Sequence, residues 1–258
     1  MLEVIYLGTG AAVPGPSRDN TSLVLDDGET VTLVDTSGSP LKRLAEVGIA
    51  ADRLTRVIIT HEHLDHTFGF PSLLQSLWLT GRRTPLAVYA LPQTWRLLER
   101  LVDAYRPGSW TDGFPIERHT IEAGERPFVE TSTLAIRAAR GRHSVPTVGL
   151  RVETERAGLT YSSDTAPCAS IIELAQGSDV LIHEATFLAG SEATANQLGH
   201  STARQAAEVA RAAGVGRLVL IHFTPADVDD LTRLATAATA VYAGPVDVPT
   251  DGERLRLP

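Results

Sequence analysis

The chain has 258 residues, of which 43% are hydrophobic and 21% charged, with a formal net charge of −8. This is the composition of an ordinary soluble globular chain with ample core, and its negative balance argues against an extended basic surface for nucleic acid. The single cysteine, Cys168, excludes an internal disulfide framework. With no N-terminal signal pattern and no apolar run approaching ~20 residues, the expected location is the cytoplasm, without a membrane partner.

In chain order, short runs rich in Val, Ile, Leu and Tyr predict strands over Leu2–Leu7, Ser22–Leu25 and Val31–Val34. Ser39-Pro40 opens a helix that Gly48 closes. A strand over Val57–Thr60 leads into His61-Glu62-His63-Leu64-Asp65-His66. Phe70–Thr80 is a helix apolar nearly all round, suited to core burial or to a homodimer contact. Leu86–Ala90 is a strand and Gln93–Ala104 an amphipathic helix. Residues 105–127 carry Pro107, Gly108, Gly113, Pro115, Gly124 and Pro127, and suit a loop over a site better than a linker. Strands follow over Thr133–Arg137, Thr147–Val152, Leu159–Ser162 and Val180–Ile182. Ser201–Ala213 is a helix stopped by Gly214, Leu218–Ile221 a strand, Asp227–Ala240 a helix and Arg254–Leu257 a weaker strand. Grouped strands with helices between them predict an α/β chain with a four-layer αββα sandwich. No linker divides it, so residues 1–258 are expected to form a single domain.

The hexapeptide places three imidazoles and a carboxylate in six residues directly after an apolar strand. Neutral imidazole and carboxylate suit zinc, and manganese or iron less selectively. Other residues of ligand type also follow strands: Asp164, His183 and Glu184, and His222. His143 lies in the loop Gly141–Ser144. On an extended loop His61 and His63 point the same way and can share one ion, which His143 completes. Asp65 and His66 serve a second ion, completed by His222. Asp164 bridges the two, which would lie roughly 3.5–4 Å apart with a hydroxide between them. Five of the eight histidines thus accompany two aspartates. Each also has a plainer reading: a lone His143 or His222 could be a surface residue, and Asp164 could cap the helix near Pro167. His119 has no such company and is expected to play no part.

The pattern His-x-His-x-Asp-His, followed by separate His, Asp and His, resembles the metallo-β-lactamase superfamily, and more closely its ribonuclease Z branch. Leu7–Pro14, Thr60–His66 with Phe68–Leu74, His143–Pro146, Ser163–Thr165, His183–Phe187, His200–Thr202 and His222-Phe223 occur in the same order as that branch's motifs. The resemblance implies the αββα fold and two zinc ions. His61, His63 and His143 would bind one, Asp65, His66 and His222 the other, with Asp164 bridging. It further implies a phosphodiesterase acting through a metal-bridging hydroxide. Asp65 would orient or deprotonate that nucleophile. His200 would contact the phosphate or protonate the leaving oxygen, with Glu184 its acid/base partner, and His183 would be structural.

The departures narrow this reading. The branch's tRNA-gripping arm lies between the motifs of His143 and Asp164, and here that interval holds two strands and a turn near Arg156-Ala157-Gly158. Folded tRNA is therefore not the expected partner. A small anionic ester such as a phosphodiester or nucleotide is, with Arg140 and Arg142 near His143 as candidate contacts. Leu64 stands where those nucleases usually have Gly. An arylsulfatase or a lactone or ester hydrolase with the same dizinc site is the second reading. A non-hydrolytic metal-binding or di-iron protein ranks below it, because the di-iron relatives carry Glu where His63 stands.

Overall fold

The computed structural model describes residues 1–105, 113–224 and 231–258. Its strands form two seven-stranded mixed sheets. The first contains β1 (Leu2–Gly8), β2 (Ser22–Asp26), β3 (Val31–Val34), β4 (Leu54–Ile59), β5 (Leu86–Ala90), β6 (Ile116–Thr120) and β14 (Arg254–Leu257), in the order β14-β1-β2-β3-β4-β5-β6. The second contains β7 (Val129–Glu130), β8 (Ala135–Arg140), β9 (Val148–Glu153), β10 (Gly158–Tyr161), β11 (Val180–Glu184), β12 (Arg217–Ile221) and β13 (Val246–Asp247), in sequential order.

Alternation along the strands explains the layering. Leu2, Val4 and Tyr6 of β1 join Val219 and Ile221 of β12 in the core between the sheets. Their neighbours Ile5 and Leu7 face α1 (Pro40–Glu46), α3 (Phe70–Leu79) and α4 (Pro92–Tyr105). Leu218 and Leu220 face α5 (Ala169–Ala175), α7 (Ala203–Ala213) and α8 (Leu231–Thr239). Strands buried on both faces need apolar residues at both parities, as these runs have. The result is the expected αββα sandwich. Phe70, Leu73, Leu74 and Leu77 of α3 are buried in the core, while Leu79 at its end is exposed. Among the described residues, no helix is long and apolar enough to cross a membrane.

The structure corrects several local expectations. The stretch 105–127 is not a continuous loop: it contains β6, the edge strand of the first sheet. With Ile116 as its one large aliphatic residue, β6 gave pattern reading little to see; Pro107 and Gly108 lie outside the described residues. His119 is not isolated but stacks on Tyr89, with centroids 4.5 Å apart. Asp164 caps no helix, because Cys168 occupies the N-cap of α5. The helix expected from Asp227 is described from Leu231 onward, the residues before it lying outside the described ones. Two further short helices, α2 (Leu64–Thr67) and α6 (Glu192–Leu198), flank the histidine-rich rim.

α7 begins with a full capping box: Gln205 N donates to Thr202 Oγ1 and Thr202 N donates to Gln205 Oε1. We expect Thr202→Ala to cost about 1 kcal/mol in urea unfolding. An unchanged midpoint and slope would show that the cap contributes nothing.

Candidate metal centre

β4 in the first sheet and β8, β10, β11 and β12 in the second all end on one rim, and the ligand-type side chains follow these ends. His61 lies just beyond β4, His143 beyond β8, Asp164 beyond β10 and His222 beyond β12, while Glu184 is the last residue of β11. His63 is the N-cap of α2, which carries Asp65 and His66 back over the rim. The seven residues form two groups that share Asp164, one with His61, His63 and His143, the other with Asp65, His66 and His222. Within each group the ligand-type atoms lie within 4.8 Å of one another. Asp164 Oδ2 is 3.7 Å from His61 Nε2, 3.6 Å from His66 Nε2 and 3.3 Å from His222 Nε2.

Buried carboxylates set the imidazole orientations. Asp35, directly after β3, accepts from His66 Nδ1 at 2.8 Å and from Thr60 Oγ1 at 3.0 Å. Because Thr60 spends its hydroxyl proton on Asp35, its oxygen accepts from His61 Nδ1 at 3.1 Å. Glu184 repeats the device. It accepts from Thr186 Oγ1 at 2.7 Å, and Thr186 accepts from His222 Nδ1 at 2.8 Å. It also accepts from His200 Nδ1 at 2.9 Å. Gly199 O takes the Nδ1 proton of His143 at 2.8 Å. With each Nδ1 donating, Nε2 of His61, His66, His143 and His222 keeps its lone pair.

Three of those lone pairs meet Asp164 in the protein interior. His61 Nε2, His66 Nε2, His222 Nε2 and Asp164 Oδ1 are buried without a hydrogen-bond partner. Buried polar atoms are rarely left so, and four facing one another call for a cation. Imidazole nitrogens and carboxylate oxygens in this number fit divalent ions of the zinc type.

Electrostatics agree. Burial pushes His61 well below the ordinary imidazole range and lowers His63 and His143 as well, leaving them neutral. Burial would raise Asp164, but the neighbouring His222 and His66 imidazoles outweigh it and hold the carboxyl well below its usual range. Burial would also raise Asp65, and the neighbouring His222 and His66 imidazoles reverse this. At His66 burial acts downward, yet Asp164 and Asp35 draw its pKa well up. Three carboxylates around one imidazole, those of Asp35, Asp65 and Asp164, make a place that favours positive charge, from a proton or from a metal ion.

A model of the β-lactamase superfamily domain matches residues 30–223, a span that contains every member of both groups. The chain belongs to the metallo-β-lactamase superfamily. Ribonuclease Z of Methanothermobacter thermautotrophicus is 35% identical over 87% of each chain. Ribonuclease Z of Mycobacterium bovis is 32% identical over 100% of this chain and 99% of its own. These likenesses put the chain in the superfamily's ribonuclease Z-like branch. The metallo-beta-lactamase fold protein YhfI of Bacillus subtilis superposes with a TM-score of 0.85 at 22% identity over 98% of both chains, which speaks for the fold. The Mycobacterium alignment spans 280 positions against 258 residues here, so that relative carries residues with no counterpart in this chain.

Within this superfamily member, the remaining expected residues fall as follows. Glu184, which is buried, and His200, which is half-buried, pair beside His222. His183 turns away from both groups and is buried, with Nδ1 on Glu184 O at 2.7 Å. Arg140 and Arg142 are exposed, Arg142 next to His143. Sequence reading missed Asp35, Thr60 and Thr186, although Asp35 carries the same signal as the others, a carboxylate directly after an apolar strand. Asp35, Ser163 and His222 are the non-glycine residues with positive φ among the described residues, at 62°, 52° and 63°. All three sit at strand ends on this rim, where backbone strain marks a functional site.

Asp35→Asn keeps the side-chain shape but removes one of the acceptors that Thr60 and His66 share. The variant is expected to hold divalent metal ~10–100-fold more weakly in a chelator competition. Wild-type retention would mean that Asp35 does not orient these imidazoles.

Proposed function

We propose that the protein is a dinuclear zinc-dependent phosphodiesterase of ribonuclease Z-like type that acts on a small phosphodiester or nucleotide. The observation that carries this reading is the pair of ligand groups sharing Asp164, with a charged His200–Glu184 pair beside them. His61, His63 and His143 would hold one ion and Asp65, His66 and His222 the other, with Asp164 common to both. When bound, such a pair supplies Lewis-acid polarisation of the ester and a lowered pKa for water.

The chain's own groups do the rest. Asp65, whose carboxylate reaches His66 Nε2 at 3.4 Å and His222 Nε2 at 3.6 Å, orients the attacking water and takes its proton. Burial would lower the pKa of His200, but the Glu184 carboxylate outweighs it and raises the pKa to about 9. His200 is therefore an imidazolium at neutral pH. Its Nδ1 is held by Glu184, which leaves Nε2 to contact the phosphoryl group and give a proton to the leaving oxygen. Glu184 accepts from Thr165 N, Thr186 and Ser201 N besides His200, is almost fully buried, and acts by holding His200.

The size of the substrate follows from the interval between His143 and Asp164. It contains β9, a turn closed by Thr154 N on Ala157 O at 2.9 Å, and β10. No element there reaches out to grip a folded RNA, so tRNA is a poor candidate. A second reading, an arylsulfatase or a lactone or ester hydrolase, is favoured by one feature: Leu64 and Phe68, one helical turn apart beside the site, are 69% and 41% exposed. An apolar ridge there suits an organic ester group.

Zinc-loaded protein offered bis-p-nitrophenyl phosphate, p-nitrophenyl sulfate and a lactone side by side should turn over the phosphodiester fastest. Background turnover of the diester with turnover of either other substrate would replace the first reading by the second. Asp164→Ala is expected to lose both bound metal and activity, whereas His119→Ala should lose neither. Activity retained in the first variant would break the shared-ligand assignment. His200→Ala should depress turnover of diesters with alkoxide leaving groups far more than that of p-nitrophenyl esters, whose leaving group needs no proton. An equal loss on both would contradict the acid role.

A further inference from the structure

His222 stands in the left-handed region at φ 63°, a conformation that a residue with a Cβ keeps only when its surroundings impose it. The imposition comes from Thr9, just past β1. Thr9 O accepts from His222 N at 2.7 Å and from Phe223 N at 3.3 Å, and Ala11 N returns a bond to Phe223 O at 2.8 Å. Thr9 is itself fixed through its side chain. Its hydroxyl donates to Asp251 Oδ1 at 2.8 Å and accepts from Arg18. Asp251 Oδ2 accepts from Asp19 N and from Arg43 Nη2, both at 2.7 Å. Arg18 also donates to Pro249 O at 2.5 Å and lies 5.3 Å over the Phe223 ring. Asp251 therefore ties four chain segments, the end of β1, residues 18–19, α1 through Arg43 and the C-terminal turn, to the backbone that presents His222. It is not a member of either ligand group.

We propose that Asp251 is a positioning residue for His222, acting through Thr9 to hold the strained turn so that Nε2 faces the Asp65–His66–Asp164 group. The proposal rests on the two-ion reading above. Its consequence is selective: loosening the clamp should weaken the ion that His222 helps to hold and spare the one held by His61, His63 and His143. A merely structural role for the C-terminal turn predicts no such selectivity. Glu3 supplies the matched control. It pairs with Arg254 and Arg256 on the terminal strand, so it anchors the same end of the chain through that strand rather than through Thr9.

The test is a calorimetric titration of zinc into protein stripped by a chelator, reading the number and affinity of the bound ions. Wild type and Glu3→Gln should bind two equivalents with unchanged affinities. Asp251→Asn and Thr9→Val should each weaken one equivalent by ~10–100-fold while the other stays within twofold. Thr9→Ser, which restores the hydroxyl, should recover both. Should Asp251→Asn fail to fold, the Thr9 pair decides alone. Both affinities unchanged in Asp251→Asn and Thr9→Val, or both reduced alike, would overturn the clamp while leaving the two-ion reading intact. A wild type that binds one equivalent would overturn the two-ion reading, and the clamp with it.

Discussion

The site depends on one constraint: each imidazole that faces Asp164 must give its Nδ1 proton to something else. Asp35 and Glu184 satisfy that constraint from opposite sheets. Asp35 holds His66 directly and His61 through Thr60, and Glu184 holds His200 directly and His222 through Thr186. Each carboxylate is buried and bonded by several donors, which keeps its acceptor oxygens fixed. Without them His61, His66 and His222 would be free to rotate or change tautomer, and their three lone pairs would not face Asp164. The same logic explains why a cluster so rich in imidazole remains largely neutral in its first group yet favours added positive charge in its second.

The αββα frame makes this arrangement reachable. β4 delivers His61 from the first sheet, and the second sheet delivers His143, Asp164 and His222 from the ends of strands running the same way. Cores on both faces of each sheet hold those ends in register. The local cost is concentrated in Asp35, Ser163 and His222, whose positive φ re-aims the chain as it leaves β3, β10 and β12. Such conformations persist where neighbouring segments over-determine them. At His222 the neighbours are Thr9 and the C-terminal turn, which places part of the site's support well away from it in sequence.

Much of the frame was legible in the sequence because apolar runs mark the buried strands, and ligand-type residues directly after such runs mark one rim. His61, Asp164 and His222 could be read that way. Asp35 has the same signature, but Asp35-Thr36-Ser37-Gly38 also reads as a turn, and its partner His66 lies 31 residues away. β6 was not legible because an edge strand needs little apolar patterning: Ile116, Glu117, Arg118 and Thr120 are all exposed. The tautomers of the histidines were beyond reach, since they depend on hydroxyls such as Thr60 and Thr186 that carry no signal by themselves. Family resemblance supplied the order of the motifs, and the geometry added the reason that those residues point together.

The central claim is that Asp164 is shared by two metal ions. Anomalous X-ray scattering at the zinc edge, from crystals of the zinc-loaded protein, tests it most directly. The account predicts two peaks flanking the Asp164 carboxylate, one against His61, His63 and His143 and the other against Asp65, His66 and His222. A single peak, or two peaks of which one makes no contact with Asp164, would contradict it.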